Sequence, residues 1–156
     1  KNGENLTITD PKMTRFLMSL DDAVELVLFA FENGNAGDLF VNKAPAGTIA
    51  NLAQALKELF NADNTVSIIG TRHGEKLYET LCTKEEINKA EDMGRFYRIP
   101  SDNRDLNYAR YFSEGEEDLS KLEDYNSHNT KQCDIKDMKN LLMGLKLVQD
   151  ELEKLQ

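Results

Sequence analysis

An α/β fold is what the sequence predicts, on three observations. Between Asn5 and Ala90 short apolar runs alternate with amphipathic stretches in the order strand, helix, strand, helix, strand, helix. The runs are too short for helices and are bounded by Gly, Pro or Asn. The chain has 156 residues, enough for one ordinary domain with a real core.

Each element has its own signal. Asn5 to Thr9 reads as a strand entered through Asn2-Gly3, and Asp10-Pro11 turns the chain. Lys12 to Met18 is an apolar run carrying one arginine, Arg15, which in a strand faces away from Phe16. Arg15 is either a surface arginine or an anion contact beside the core.

Ser19 opens a helix, with Asp22 three residues on approximating a capping box. Leu20, Ala23, Val24, Val27, Leu28 and Phe31 follow helical spacing, and Asn33-Gly34 ends it. Asp38 to Asn42 reads as a buried strand. Thr48 caps a second helix, whose Ile49, Leu52, Ala53, Leu56, Leu59 and Phe60 share a face. Thr65 to Ile69 is the next strand.

That strand ends in Gly70 and delivers Arg72-His73-Gly74-Glu75-Lys76, a tight charged loop where a strand hands over to a predicted helix. Ligands are commonly met at strand ends in α/β folds. A guanidinium suits phosphate or carboxylate, because its planar fork donates paired hydrogen bonds. A carboxylate three residues later can accept from sugar hydroxyls. The loop fits equally a surface turn with an Arg–Glu pair.

Leu77 to Ala90 reads as helix, with Leu77, Leu81 and Ile87 inward, split near Cys82-Thr83 by a fresh cap. Phe96 to Ile99 is a strand stopped by Pro100. From Ser101 the character changes. Between Glu114 and Asp137 stand eight acidic and three basic residues, and Asp124 to Thr130 has neither period. Such a polar connector is uncommon in a compact domain and implies disorder or order against another subunit. Asp134 to Leu155 is predicted helical on Ile135, Met138, Leu142, Leu145, Val148, Leu152 and Leu155. Its spacing fits a heptad seam or a helix packed on its own domain. The expected divisions are 1–112, 113–133 and 134–156.

Composition narrows the function. Net charge is −9, from 19 basic and 28 acidic residues, which argues against nonspecific nucleic-acid binding. No run is apolar and long enough to span a membrane, and no secretory signal opens the chain. It starts at Lys1 without Met, so a fragment is expected. Cys82 and Cys133 match no metal spacing and read as free thiols of a reducing cytoplasm. Two histidines are too few for a histidine metal site.

Catalytic machinery is not visible. No glycine-rich dinucleotide fingerprint, Walker loop or Ser/His/Asp set is present, and no tyrosine has a lysine four residues on. What remains is a small α/β binding domain with two candidate anion-reading arginines, Arg15 and Arg72.

Several stretches in order carry a resemblance. Asp10-Pro11-Lys12-Met13-Thr14-Arg15-Phe16, then Ser19-Leu20-Asp21-Asp22-Ala23-Val24, resembles the start of the C-terminal half of extended short-chain dehydrogenases that modify nucleotide sugars. Arg72-His73-Gly74-Glu75-Lys76-Leu77-Tyr78-Glu79 resembles their Arg-Pro-Gly-Glu-Lys-Leu-x-Glu motif, with His73 in place of the usual proline. Asn103 to Tyr108 and Asp124 to Thr130 look like the capsular-polysaccharide branch, the inverting UDP-N-acetylglucosamine 4,6-dehydratase/5-epimerases.

The resemblance implies the substrate-binding half of such an enzyme, lacking the N-terminal Rossmann domain that binds NADP and carries Tyr-x-x-x-Lys. No cofactor is expected on this chain, and alone it is expected inactive. The complete enzyme would oxidise the sugar at C4, lose water across C5–C6 and return hydride to C6, with inversion at C5. Oxidation at C4 acidifies the C5 proton, so no strong free base is needed. Carried over by position, Arg72 contacts the UDP diphosphate or ribose, Glu75 accepts from ribose hydroxyls, and Arg15 lies against the diphosphate. The stretches 103–108 and 124–130 are assigned to oligomer contacts or closure over the active site. The resemblance further implies a UDP-sugar substrate, a homo-oligomer, a cytoplasmic location, and no nucleic acid or membrane insertion. The alternatives are UDP-sugar 4-epimerase chemistry and an oligomerisation module.

Overall fold

Thr48 starts a helix by capping it, as Thr83 and Asp134 do for two others. Its extended backbone and side-chain oxygen, which accepts from the Asn51 amide at 3.1 Å, start α2 (Ile49–Leu59) where the sequence places a cap. The computed structural model describes residues 3–101 and 123–155. Its chain forms two units, 1–19 with 44–79 and 127–156, and 20–43 with 80–126. The small α/β fold ending in helices agrees with the expectation from sequence.

In the first unit, β1 (Leu6–Ile8) pairs in parallel with β5 (Val66–Ile68). β2 (Thr14–Phe16) pairs antiparallel with β4 (Ala46–Thr48), setting Arg15 opposite Gly47. Residues 131–133 run beside β4: the Ala46 amide donates to the Lys131 carbonyl at 2.9 Å, and Cys133 donates back to Ala46 at 2.7 Å. Ala55, Cys133 and Met138 form the core here, with Leu17, Leu52, Ile135 and Leu142 packed on it. A Cβ at Gly47 would lie 2.1 Å from the Met138 methyl, so a side chain there would displace Met138 from its seat.

The C-terminal helix is broken. α4 (Ile135–Met143), capped by Asp134, ends at Gly144, and α5 (Lys146–Glu153) follows. Met138 and Val148 are buried within the first unit and α2 packs on α4. The heptad-seam reading therefore gives way to a helix pair packed on its own unit. The break falls at Leu145, whose extended backbone (φ −87°, ψ 121°) interrupts the helical run after Gly144.

In the second unit, β3 (Leu39–Asn42), β8 (Phe96–Ile99) and β7 (Glu91–Asp92) form an antiparallel sheet in the order β3-β8-β7. β3 is only half-buried, with Leu39 exposed, against the expectation of a buried strand. α1 (Leu20–Asn33) packs Phe29 on Phe40 and Phe96, at centroid distances of 5.8 and 4.6 Å. The expected face of α1 is the exposed one: Leu20 is 86% and Phe31 82% accessible, and Val24, Val27 and Leu28 are exposed too. The helix is apolar on both sides, and periodicity does not choose between two apolar stripes.

Two further expectations change. Leu77 to Cys82 is not helical: β6 (Thr80–Cys82) pairs antiparallel with β9 (Tyr125–Asn126), and only α3 (Lys84–Lys89) is helix. Leu77 and Leu81 are exposed rather than inward. The cap at Thr83 is present, as a reciprocal box with Glu86. The partner of β6 lies far along the chain, so local periodicity missed the strand. By the same pairing the 124–130 tract is ordered within its own chain. Asn103 to Tyr108, and the connector up to residue 122, lie outside the described residues. Among those described, no helix is long and apolar enough to cross a membrane.

Candidate functional site

The loop after β5 folds into one turn. Gly70 and Gly74 take left-handed backbones, at φ +81° and +83°, while His73 does not. The Glu75 amide donates to the Arg72 carbonyl at 3.1 Å, closing Arg72–Glu75 around His73 and Gly74. Positive φ at the third position alone makes this a type II turn, which needs Gly there and merely favours Pro at the second. His73 can therefore replace the usual proline without losing the turn.

Glu75 completes it. Its Oε2 accepts from the Arg72 amide at 2.9 Å, so the carboxylate pins the backbone of the residue that it was expected to assist. The Arg72 side chain is exposed, and among the described residues no hydrogen bond or ion pair engages it. Arg72 thus presents a full guanidinium fork from a fixed turn.

Arg15 is disposed differently. From β2 its Nη1 donates to the Thr14 carbonyl at 2.7 Å and its Nη2 to the Lys76 carbonyl at 3.0 Å. Its Nε stands 3.6 Å from a Glu79 carboxylate oxygen. The fold therefore brings Arg15 to the end of the Arg72–Lys76 loop, as a brace. The loop is anchored again just beyond, where the Thr14 amide donates to the Leu77 carbonyl at 2.9 Å.

Behind Arg15 lies a polar knot that joins Thr14 to the 124–130 tract, a link the sequence does not show. Ser127 is fully buried and Thr14 nearly so, and their hydroxyls meet at 2.7 Å. The His128 Nδ1 is 2.9 Å from the Thr14 hydroxyl, and its ring lies 4.9 Å from that of Tyr78. The signal was the aperiodic tract 124–130, whose polarity was visible but whose partners were not.

Other candidates carry less chemistry. Burial, with Glu86 adding to it, pushes the Cys82 thiol up to about 11, and burial also raises that of Cys133, so neither is a thiolate nucleophile at neutral pH. Among the described residues no group of three His, Cys, Asp or Glu could hold a metal ion. β5 leads through Gly70 into a turn, not onto a helix N-terminus.

Comparison with known proteins gives the context. A family model described as "Polysaccharide biosynthesis protein" matches residues 1–101, and one described as "Polysaccharide biosynthesis protein C-terminal" matches 102–149. The chain is 59% identical over 153 residues to a UDP-glucose 4-epimerase of Rickettsia rickettsii (strain Sheila Smith), covering 98% of this chain and 45% of that protein. Identity and coverage are the same for the UDP-glucose 4-epimerase of Rickettsia bellii (strain OSU 85-389). The chain thus spans less than half the length of these relatives. Among solved structures, Pen from Bacillus thuringiensis superposes with a TM-score of 0.74 at 26% identity, over 94% of this chain and 42% of that one.

Proposed function

Because this chain belongs to the polysaccharide biosynthesis protein family, we propose that it is the sugar-nucleotide-binding part of an NADP-dependent, UDP-sugar-modifying enzyme. The observation that carries this is the Arg72–Glu75 turn, which holds an unpartnered guanidinium outward at the end of a strand. Arg72 grips the diphosphate with paired, charge-assisted hydrogen bonds. Glu75 spends one oxygen on the turn and offers the other to a ribose hydroxyl. Arg15 keeps the loop in place and adds positive charge beside it. NADP and the groups that move protons and hydride belong to parts of the full-length enzyme other than these residues.

Two readings of the reaction follow from different observations. The stretches 103–108 and 124–130 favour a UDP-N-acetylglucosamine 4,6-dehydratase/5-epimerase of capsular or surface polysaccharide synthesis. The similarity to UDP-glucose 4-epimerases favours a UDP-sugar 4-epimerase. Both use the same diphosphate grip. Incubating the full-length protein with UDP-N-acetylglucosamine and, separately, with UDP-glucose, and following the sugar by NMR, separates them. Loss of the C6 hydroxyl is expected for the first reading, a C4 epimer with C6 intact for the second, and no change in either sugar contradicts both.

In the assembled enzyme, a homo-oligomer on this reading, the exposed apolar stripe of α1 is covered by further polypeptide, since so large a patch is costly in water.

A further inference from the structure

We infer that Ser127 is a positioning residue of the nucleotide site, acting through Arg15; this rests on the UDP-binding reading above. Besides the Lys76 carbonyl, two groups hold Arg15, the carbonyl of Thr14 and the carboxylate of Glu79. Ser127 holds both residues. Its hydroxyl contacts the Thr14 carbonyl at 3.3 Å, the same oxygen that Arg15 uses. The Glu79 amide donates to the Ser127 hydroxyl at 3.0 Å, and the Ser127 amide donates to the Glu79 carbonyl at 2.8 Å.

One donor assignment satisfies every contact. Ser127 has a single hydroxyl proton, given to the Thr14 carbonyl, while its oxygen accepts from Glu79 and from the Thr14 hydroxyl. The Thr14 hydroxyl in turn accepts from the His128 Nδ1–H. With no exposure at Ser127, water has no access to replace a lost partner. A vacancy at Ser127 would leave the Thr14 carbonyl and the Glu79 amide short of a partner, and both supports of Arg15 would shift. Through the Arg15–Lys76 contact, that shift reaches the Arg72 turn.

Titration of UDP into the full-length protein tests this with a double-mutant cycle. Ser127→Ala is expected to weaken binding about five- to tenfold, the size of one neutral hydrogen bond. In an Arg15→Ala background the same change is expected to alter affinity less than about twofold, because its route is already gone. Ser127→Cys, which keeps the shape and weakens the hydrogen bonds, is expected to move affinity in the same direction and serves if the alanine variant does not fold. A merely structural serine would lower the melting temperature and cost the same affinity in both backgrounds. That additive result, or unchanged affinity in folded Ser127→Ala and Ser127→Cys while Arg72→Ala weakens binding, overturns the positioning role alone. Unchanged affinity in Arg72→Ala overturns the UDP-site reading and this inference with it.

Discussion

Arg15 and Lys76, 61 residues apart in sequence, meet through a hydrogen bond from the Arg15 Nη2 to the Lys76 carbonyl at 3.0 Å. The same guanidinium reaches the Thr14 carbonyl and faces Glu79. A fork that serves three directions is not replaceable by an ammonium, which is a compact point charge. Arg15→Lys keeps the charge and loses the brace. It is expected to weaken UDP binding by about 1 kcal/mol, close to one net hydrogen bond, in a calorimetric titration of the full-length protein. An unchanged affinity would show that charge alone is what Arg15 supplies.

Glu75 offers a sharper separation of roles. Its carboxylate holds the Arg72 amide, a task that a side-chain amide oxygen also performs. Glu75→Gln is expected to keep the turn, and Glu75→Ala to loosen it at a cost of about 1 kcal/mol in UDP affinity. If both variants lose affinity alike, the negative charge matters to the ligand and not the turn.

The core of the first unit rests on Met138, almost fully buried and seated over Gly47. Met138→Ala leaves a cavity beneath β4 and is expected to destabilise by about 2–4 kcal/mol in urea unfolding. Since Gly47 lies opposite Arg15 in the β2–β4 register, a loss of UDP affinity should accompany it. A stability change below about 1 kcal/mol would mean that the site collapses readily around the vacancy.

The second unit carries an acid-sensitive pair. Asp38 accepts from the Asn35 amide, from Arg98 and from the Ser101 amide, and these hold its carboxyl below the usual range against the opposing effect of burial. A depressed folded-state value gives stability that is present above the unfolded value, near 3.9, and lost as pH falls through the folded one. The stability gap between wild type and Asp38→Asn should therefore narrow as the pH drops from 7 toward about 2, below the usual aspartate range. A gap constant with pH would place the effect in packing.

Some of these features are legible in the sequence and others are not, for identifiable reasons. Thr48 and Thr83 announce their helices because a cap acts within three residues. Val66–Ile68 and Phe96–Ile99 are found because short apolar runs end in Gly or Pro. β6 was misread as helix because its partner, Tyr125–Asn126, lies far along the chain in a tract without a period. The apolar faces of α1 were interchanged because both are apolar. At the site, the chemistry of Arg72, Glu75 and Arg15 was visible in residue type. That Arg15 is a brace, and that Ser127 stands behind it, depends on contacts spanning 61 and 113 residues.

Arg72 as the diphosphate ligand is tested most directly by the affinity of the full-length protein for UDP, wild type against Arg72→Ala, at matched salt because exposed charges are screened. Losing a charge-assisted contact is expected to cost about 1.5–3 kcal/mol, roughly a ten- to hundredfold rise in Kd, with the melting temperature unchanged. Equal affinity in the folded variant would contradict the assignment of this turn as the nucleotide site.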